Sequence, residues 1–170
     1  IRLHTLLDIK SEIPCYINIT DGKTHELNML DLIEFEPNGI YIMDRAFVDF
    51  SRLYTIDEQH AYFITRAKTN MKFKRIYSAK ANKTDGVMVD QTIQLVNFYV
   101  AKEYPEKFRR IKFYDAETGK KFIFLTNNFE LTALQVVLLY KHRWKIELFF
   151  KWIKQHLKIK SCWGHSENAV

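Results

Sequence analysis

Asp44 and Glu147 are the two acids whose surroundings could support chemistry. Asp44 closes the apolar run Ile40-Tyr41-Ile42-Met43, which Gly39 precedes. Such a run reads as a buried, parallel strand, and open α/β sheets place their sites at the carboxyl ends of such strands. Glu147 lies in a basic, aromatic segment running from Tyr140 to Lys154. On a helix turning about 100° per residue, Tyr140, Arg143, Glu147, Lys151 and Lys154 fall within an arc of roughly 80°. Leu131, Leu134, Leu138, Phe149 and Ile153 take the other side. A solvated face more often alternates its charge signs, so a lone carboxylate among cations suits an anionic partner. Carboxylates from a strand end and a facing helix are suitable oxygen ligands for Mg²⁺. Two such ions about 3.5–4 Å apart activate an attacking oxygen and stabilise a leaving one, as phosphodiester chemistry needs. A plainer account stands beside this one. A strand-end Asp commonly caps the next turn, and Glu147 lies four residues from both Arg143 and Lys151, the spacing of helical ion pairs.

To hold these acids together the chain needs a sheet and a helix. Residues 2–8 read as a strand, and 13–20 as a second, antiparallel to it across a turn at Ser11-Glu12. A helix is expected from about 26 to 33, with Leu27, Leu30 and Ile33 on one face, and Pro37-Asn38-Gly39 ends that unit. After the Asp44 strand come a helix at about 49–59 and a buried strand at 61–65 that runs into Arg66 and Lys68. The first 65 residues therefore read β-β-α-β-α-β, a mixed sheet with helices packed on it. From 69 to 126 the pattern turns antiparallel, with strands expected at 73–78, 87–96, 98–101, 109–114 and 121–126. Turns stand at Asp85-Gly86 and Glu117-Thr118-Gly119. This β-rich insertion shows no helical period and carries a cationic cluster of Lys72, Lys74, Arg75, Lys80 and Lys83. Asn127, with Glu130 three residues later, makes a capping-box-like start for one final helix at about 131–157.

Composition narrows the class. The chain has 170 residues, 47% hydrophobic and 27% charged, with a net charge of +6. That is a globular domain with a real core and a preference for a polyanion. The two cysteines, Cys15 and Cys162, form neither a metal spacing nor a disulfide framework, which fits a reducing compartment. No run of 18 apolar residues is present, so no membrane span or membrane partner is expected. The chain opens on Ile1, with strand character at once, and is expected to be a piece of a longer protein.

Tyr140-x2-Arg143-x3-Glu147-x6-Lys154 resembles the Tyr-(2)-Arg-(3)-Glu-(6)-Lys signature of bacterial insertion-sequence transposases of the DDE type, the insertion-sequence-four family. Four residue types at three fixed spacings make this a specific match. Asp44-Arg45-Ala46-Phe47 resembles the second-aspartate motif of the same family. The likeness continues through Leu3-His4-Thr5-Leu6-Leu7-Asp8, Phe63-Ile64-Thr65-Arg66-Ala67-Lys68 and Leu125-Thr126-Asn127-Asn128.

The resemblance implies an α/β, ribonuclease H-like mixed sheet with flanking helices, interrupted by a β-rich insertion. Residues 1–68 would be the first part of the core, 69–126 the insertion, and 127–170 the catalytic helix and end of the core. Asp44 and Glu147 would be the second and third catalytic, metal-binding carboxylates, for two Mg²⁺ (or Mn²⁺) ions in the complete enzyme. Arg66, Lys68, Tyr140, Arg143, Trp144, Lys151 and Lys154 would contact DNA, chiefly at its phosphates, with Trp144 stacking on a base or packing inward. Partners would be double-stranded DNA (transposon ends and target) and a second copy of the complete enzyme, in the bacterial cytoplasm at the nucleoid. The family's first Asp lies upstream of the segment resembling Leu3 to Asp8. Asp8 ends a strand beside a turn and is a poor substitute, so this chain is not expected to transpose by itself. The alternatives are a DNA-binding remnant without catalysis, and a nuclease that stops at hydrolysis.

Overall fold

The structure is a computed structural model describing residues 2–20 and 26–156; within these, the side chains of 2, 3, 18–20, 26, 144, 145 and 154 are not described. Strands β1 (Arg2–Leu7) and β2 (Pro14–Thr20) form an antiparallel hairpin. Its turn is held by Asp8, whose carboxylate accepts from the Lys10 amide (2.9 Å) and the Ser11 hydroxyl (2.8 Å). That work and its exposure keep Asp8 out of any acidic site. Among the described residues the hairpin is a sheet of its own, not part of the mixed sheet expected for the first 65 residues. A groove separates β1 from β3 (Ile40–Ile42), so the backbone edges do not meet. The Glu26–Leu32 segment, expected as an α-helix, is wound as tighter 3₁₀ turns that still bury Met29 and Leu30.

The main sheet has six strands in the order β3-β4-β8-β7-β6-β5. β3 runs parallel to β4 (Tyr62–Arg66), and helix α1 (Phe50–Glu58) connects them. Asp49 starts α1 by accepting from the Arg52 amide (3.0 Å), the usual use of an Asp N-cap. The expected β-rich stretch contributes β5 (Phe73–Ala79), β6 (Val87–Leu95), β7 (Phe108–Asp115) and β8 (Lys120–Thr126). These continue the same sheet because β8 pairs antiparallel with β4. One expectation fails here. Phe98–Glu103 is a helix, α2, not a strand. Its β-prone side chains are overruled by an Asn97 cap and by Tyr104 immediately after it, which packs at 5.0 Å from Phe108 and 6.1 Å from Phe63. Strand preference reflects packing surroundings more than backbone bias.

Two cores flank the sheet. One joins Leu53 and Ile56 of α1 to Phe63, Ile93, Phe108 and Leu125. The other joins Ile64, Ile111, Phe113 and Phe124 to Val136, Val137 and Tyr140. The second belongs to α3 (Ala133–Lys141), whose start is a capping box between Thr132 and Gln135. The expected box at Asn127 and Glu130 does not form. Asn127 is buried, bonded to Phe63, Ala61 and Asp57, so it has no free oxygen for a cap. The single final helix also fails: α4 (Trp144–His156) is a separate element. His142 N donates to both Leu138 O (3.3 Å) and Leu139 O (3.1 Å), while Arg143 N reaches only Tyr140 O (3.0 Å). The bonds to Leu139 O and Tyr140 O are i→i+3; they tighten the chain and break the uniform 100° step. The part of the expected helix beyond His156 lies outside the described residues, as does Cys162.

Candidate active site

Asp44 follows β3, whose exit is fixed by Met43 N donating to Ile64 O (3.0 Å). Its side chain accepts from Ala46 N (3.1 Å) and caps the turn at Arg45–Phe47, as the plainer account anticipates. Thr65 Oγ1 donates to the Asp44 carbonyl (3.4 Å). The second carboxylate oxygen faces the break between α3 and α4, where Arg143 Nη2 stands 3.6 Å away. That same nitrogen donates to Glu147 Oε1 at 2.9 Å. A single guanidinium thus joins the two acids, which come from opposite ends of the sequence. Both carboxylates remain accessible, Asp44 at 42% and Glu147 at 61% side-chain exposure, while Arg143 keeps only 15%.

Arg143 is held as a cation. Burial, the largest influence, works against its charge, but Tyr140, Asp44 and Glu147 together outweigh it and keep its pKa above the ordinary arginine value. Tyr140 itself is not on an exposed stripe. The break at His142 leaves its ring 4.9 Å from Phe124, in the core. Burial raises its pKa, so the phenol stays protonated near neutrality. Its hydroxyl and Arg143 Nε are buried with no hydrogen bond of good geometry, although the Arg143 guanidinium lies close enough to the hydroxyl to act against the rise in its pKa. Buried polar atoms are seldom left unpaired. Both donors border a small cavity of about 40 Å³ that Arg66 and Lys141 also line.

The other expected DNA contacts divide. Arg66 sits at the cavity with its guanidinium 5.1 Å above the Phe122 ring. Lys68 donates instead to Val48 O (2.7 Å) and is tied to the loop before α1. Lys151 is exposed on α4. The side chains of Trp144 and Lys154 lie outside the described residues. The structure adds Lys141, absent from the sequence reading, which pairs with Asp115 at 3.4 Å. Its position next to Tyr140 was visible, but the pairing depends on a contact across 26 residues.

Divalent-ion chemistry has a direct test here. Asp44 and Glu147 are hard oxygen donors, accessible and adjacent, as Mg²⁺ requires. They are two; among the described residues no cluster of three His, Cys, Asp or Glu side chains forms. The donors fit such an ion in chemical type, and the Arg143 guanidinium stands between them, within ion-pair distance of both.

Known proteins resemble the chain along its whole length. The family model for a transposase DDE domain matches residues 1–170. A Sinorhizobium fredii protein described as a transposase is 34% identical over 173 residues, covering 99% of this chain and 48% of that relative. A transposase assigned to an insertion sequence element of Geobacillus stearothermophilus is 28% identical, covering all of this chain and 45% of its own length. One assigned to an element of Synechocystis is 26% identical, again covering all of this chain and 48% of its length. The chain spans about half the length of the curated relatives it matches. The six-stranded mixed sheet with helices on both faces is consistent with a ribonuclease H-like transposase core, and the chain belongs to the transposase DDE domain family.

Proposed function

We propose that this chain is the part of a cut-and-paste transposase core that presents two of three metal-binding carboxylates and the grip on the transposon end. The observation that carries the reading is the shared guanidinium: Arg143 Nη2 lies within ion-pair distance of both Asp44 and Glu147, with unpaired Tyr140 Oη and Arg143 Nε beside it. In the Tyr-Arg-Glu-Lys reading, Asp44 and Glu147 hold Mg²⁺ or Mn²⁺, two ions in the complete enzyme. Asp44 and Glu147 would hold such ions, which would supply Lewis-acid polarisation of a phosphate and activation of an attacking oxygen. Arg66, Arg143, Lys151 and the Tyr140 hydroxyl bind backbone phosphates of double-stranded DNA, the bidentate fork of arginine suiting that anion. In the same reading Trp144 and Lys154, whose side chains lie outside those described, would also contact DNA. Cleavage at the element's end then frees a 3′-hydroxyl that attacks target DNA, with two copies of the complete protein pairing two ends. No helix among the described residues is long and apolar enough to cross a membrane, and the reading places the protein at the bacterial nucleoid.

The third carboxylate belongs, in this reading, on a strand between β1 and β3. A groove of about 300 Å³ lies there, lined by Thr5 and Leu6 of β1 and by Ile42, Met43 and Asp44. Thr5 Oγ1 is buried in it without a hydrogen bond. A strand inserted there would unite the two sheets and set its acid beside Asp44.

The test is Mg²⁺-dependent nicking of end-bearing DNA by the parental protein and by its Glu147→Gln variant. Nicking lost with binding retained supports the reading. Binding without nicking in the parental protein leaves the DNA-binding remnant; nicking without strand-transfer products leaves a nuclease.

A further inference from the structure

Charge on the sheet is sorted by face. Side chains alternate along a strand, and residues opposite each other in a ladder share a face. In β5 to β8 the only acids are Asp90 and Asp115. Asp90 stands opposite Ile111, which packs against α3, and it pairs with Arg109 at 2.7 Å. Asp115 pairs with Lys141 of α3. Both acids therefore lie on the α3 face and are neutralised there.

The opposite face of the same strands keeps Arg75, Arg110, Lys112 and Lys121. The registers place Arg75 opposite Ile93, Arg110 opposite Gln91, Lys112 opposite Ile123 and Lys121 opposite Tyr114. No acid of β5 to β8 lies on this face, and among the described residues none of the four cations has an ion-pair partner. Arg110 is held ready: its guanidinium lies 5.0 Å above the Phe73 ring and donates to Gln91 Oε1 (3.2 Å). Helices α1 and α2 cover the end of this face around Ile93, Phe108 and Leu125. Towards the other end Ser78, Tyr114 and Lys121 are exposed. That open end is also the end nearest the site. Ala67 N donates to Ile123 O (2.9 Å), so the Lys112–Ile123 row begins where β4 delivers Arg66 to the cavity.

We propose that this open, acid-free face is a second docking surface for double-stranded DNA, gripping backbone phosphates of the duplex beyond the site. The inference rests on the reading above for the polyanion being DNA. Sequence-independent binding by cations carries a steep salt dependence, a slope of about 0.9 for each phosphate neutralised. A duplex of roughly 30 base pairs is bound to the full chain across a salt series, followed by fluorescence anisotropy. Lys112→Gln with Lys121→Gln removes two charges from the open face. Lys74→Gln with Lys120→Gln removes the same charge from the α3 face, where the register places them. The first pair should lower affinity about tenfold at ~0.1 M salt and the salt slope by roughly 2, while the second leaves both near the parental values. Arg75→Gln, at an exposed edge position, repeats the test where no packing is disturbed and should cost a few-fold. Parental affinity in the open-face variants, or equal losses from the two pairs, would overturn the docking face and leave the DNA reading intact. Absence of parental binding at low salt would overturn both.

Discussion

Two clusters in this molecule use nearly the same residue types to opposite ends. Asp57, Tyr104 and Asn127 form a closed one. Tyr104 donates to Asp57 Oδ2 (2.8 Å), and Asn127 Nδ2 donates to Asp57 Oδ1 (2.7 Å) and Ala61 O (2.9 Å). Asn127 Oδ1 accepts from Phe63 N (2.9 Å). The Asn127 amide is used at both ends, and it ties the end of β8 to β4 and α1. The Asp44, Tyr140, Arg143 and Glu147 cluster is open. Its carboxylates face solvent, and two of its buried donors make no hydrogen bond of good geometry. A satisfied buried network stabilises and specifies a fold, while a half-satisfied one costs free energy. The open cluster makes sense if a ligand completes it.

The largest expected effect separates the two clusters outright. Glu147→Gln in the parental protein should reduce Mg²⁺-dependent nicking at least about 1000-fold, on the order of 4 kcal/mol of barrier. Its melting temperature should stay within about 1 °C, because Glu147 is largely exposed. A large loss of stability instead would mean that Glu147 belongs with the closed cluster. Asn127→Ala should do the reverse. Stranding the Phe63 amide and the Asp57 carboxylate costs about 3 kcal/mol, a fall of roughly 6–12 °C in melting temperature, with nicking preserved at temperatures where the variant is folded.

The two tyrosines offer a finer comparison. Tyr104→Phe removes a satisfied hydroxyl and should destabilise by about 1 kcal/mol. Tyr140→Phe removes an unpaired one and should leave chemical-denaturation stability unchanged or raised by up to about 1 kcal/mol, while weakening DNA binding several-fold. Equal losses of stability would show that Tyr140 Oη is bonded in solution, and the open cluster would lose its main evidence.

The smallest effect concerns Asp115, at the cavity's edge. The Thr118 hydroxyl, ahead of the Lys141 ammonium, holds its carboxyl below the ordinary value. A depressed carboxyl contributes stability above its unfolded pKa and loses it as pH falls through the folded one. An Asp115→Asn variant should therefore show a shallower decline in melting temperature on acidification below about pH 4.

The region around Asp44 was legible because its signals are local. Gly39, a short apolar run and an acid mark a strand parallel to its neighbour and the strand's exit, and Asp49 marks the start of α1; the expected burial fails, because β3 is the edge of the six-stranded sheet, with Ile40 exposed and Tyr41 and Ile42 half-buried. Asp44 and Glu147 were identifiable as candidates by residue type and spacing. What failed to show was long-range. Phe98 to Ala101 has strand-like side chains, yet Tyr104 settles into a pocket of Phe63 and Phe108 and draws the preceding residues into a helix. Asn127 looks like a cap in sequence, but Asp57 and the Phe63 amide use it.

The final helix sharpens the same point. A heptad-like stripe assumes an unbroken helix, and no Gly or Pro between Tyr140 and Glu147 warns of the break. The tertiary structure decides it: Tyr140 packs on Phe124 while Arg143 meets Asp44, and one uniform helix does not serve both. By itself the sequence determined the charge, the α/β alternation and the two acids, since each depends on composition or near neighbours. Only the tertiary structure decided that those acids share one guanidinium and that the sheet's acids lie on one face. It also decided that Tyr140 is a core residue with an idle hydroxyl, because each of these depends on contacts between segments far apart in the chain.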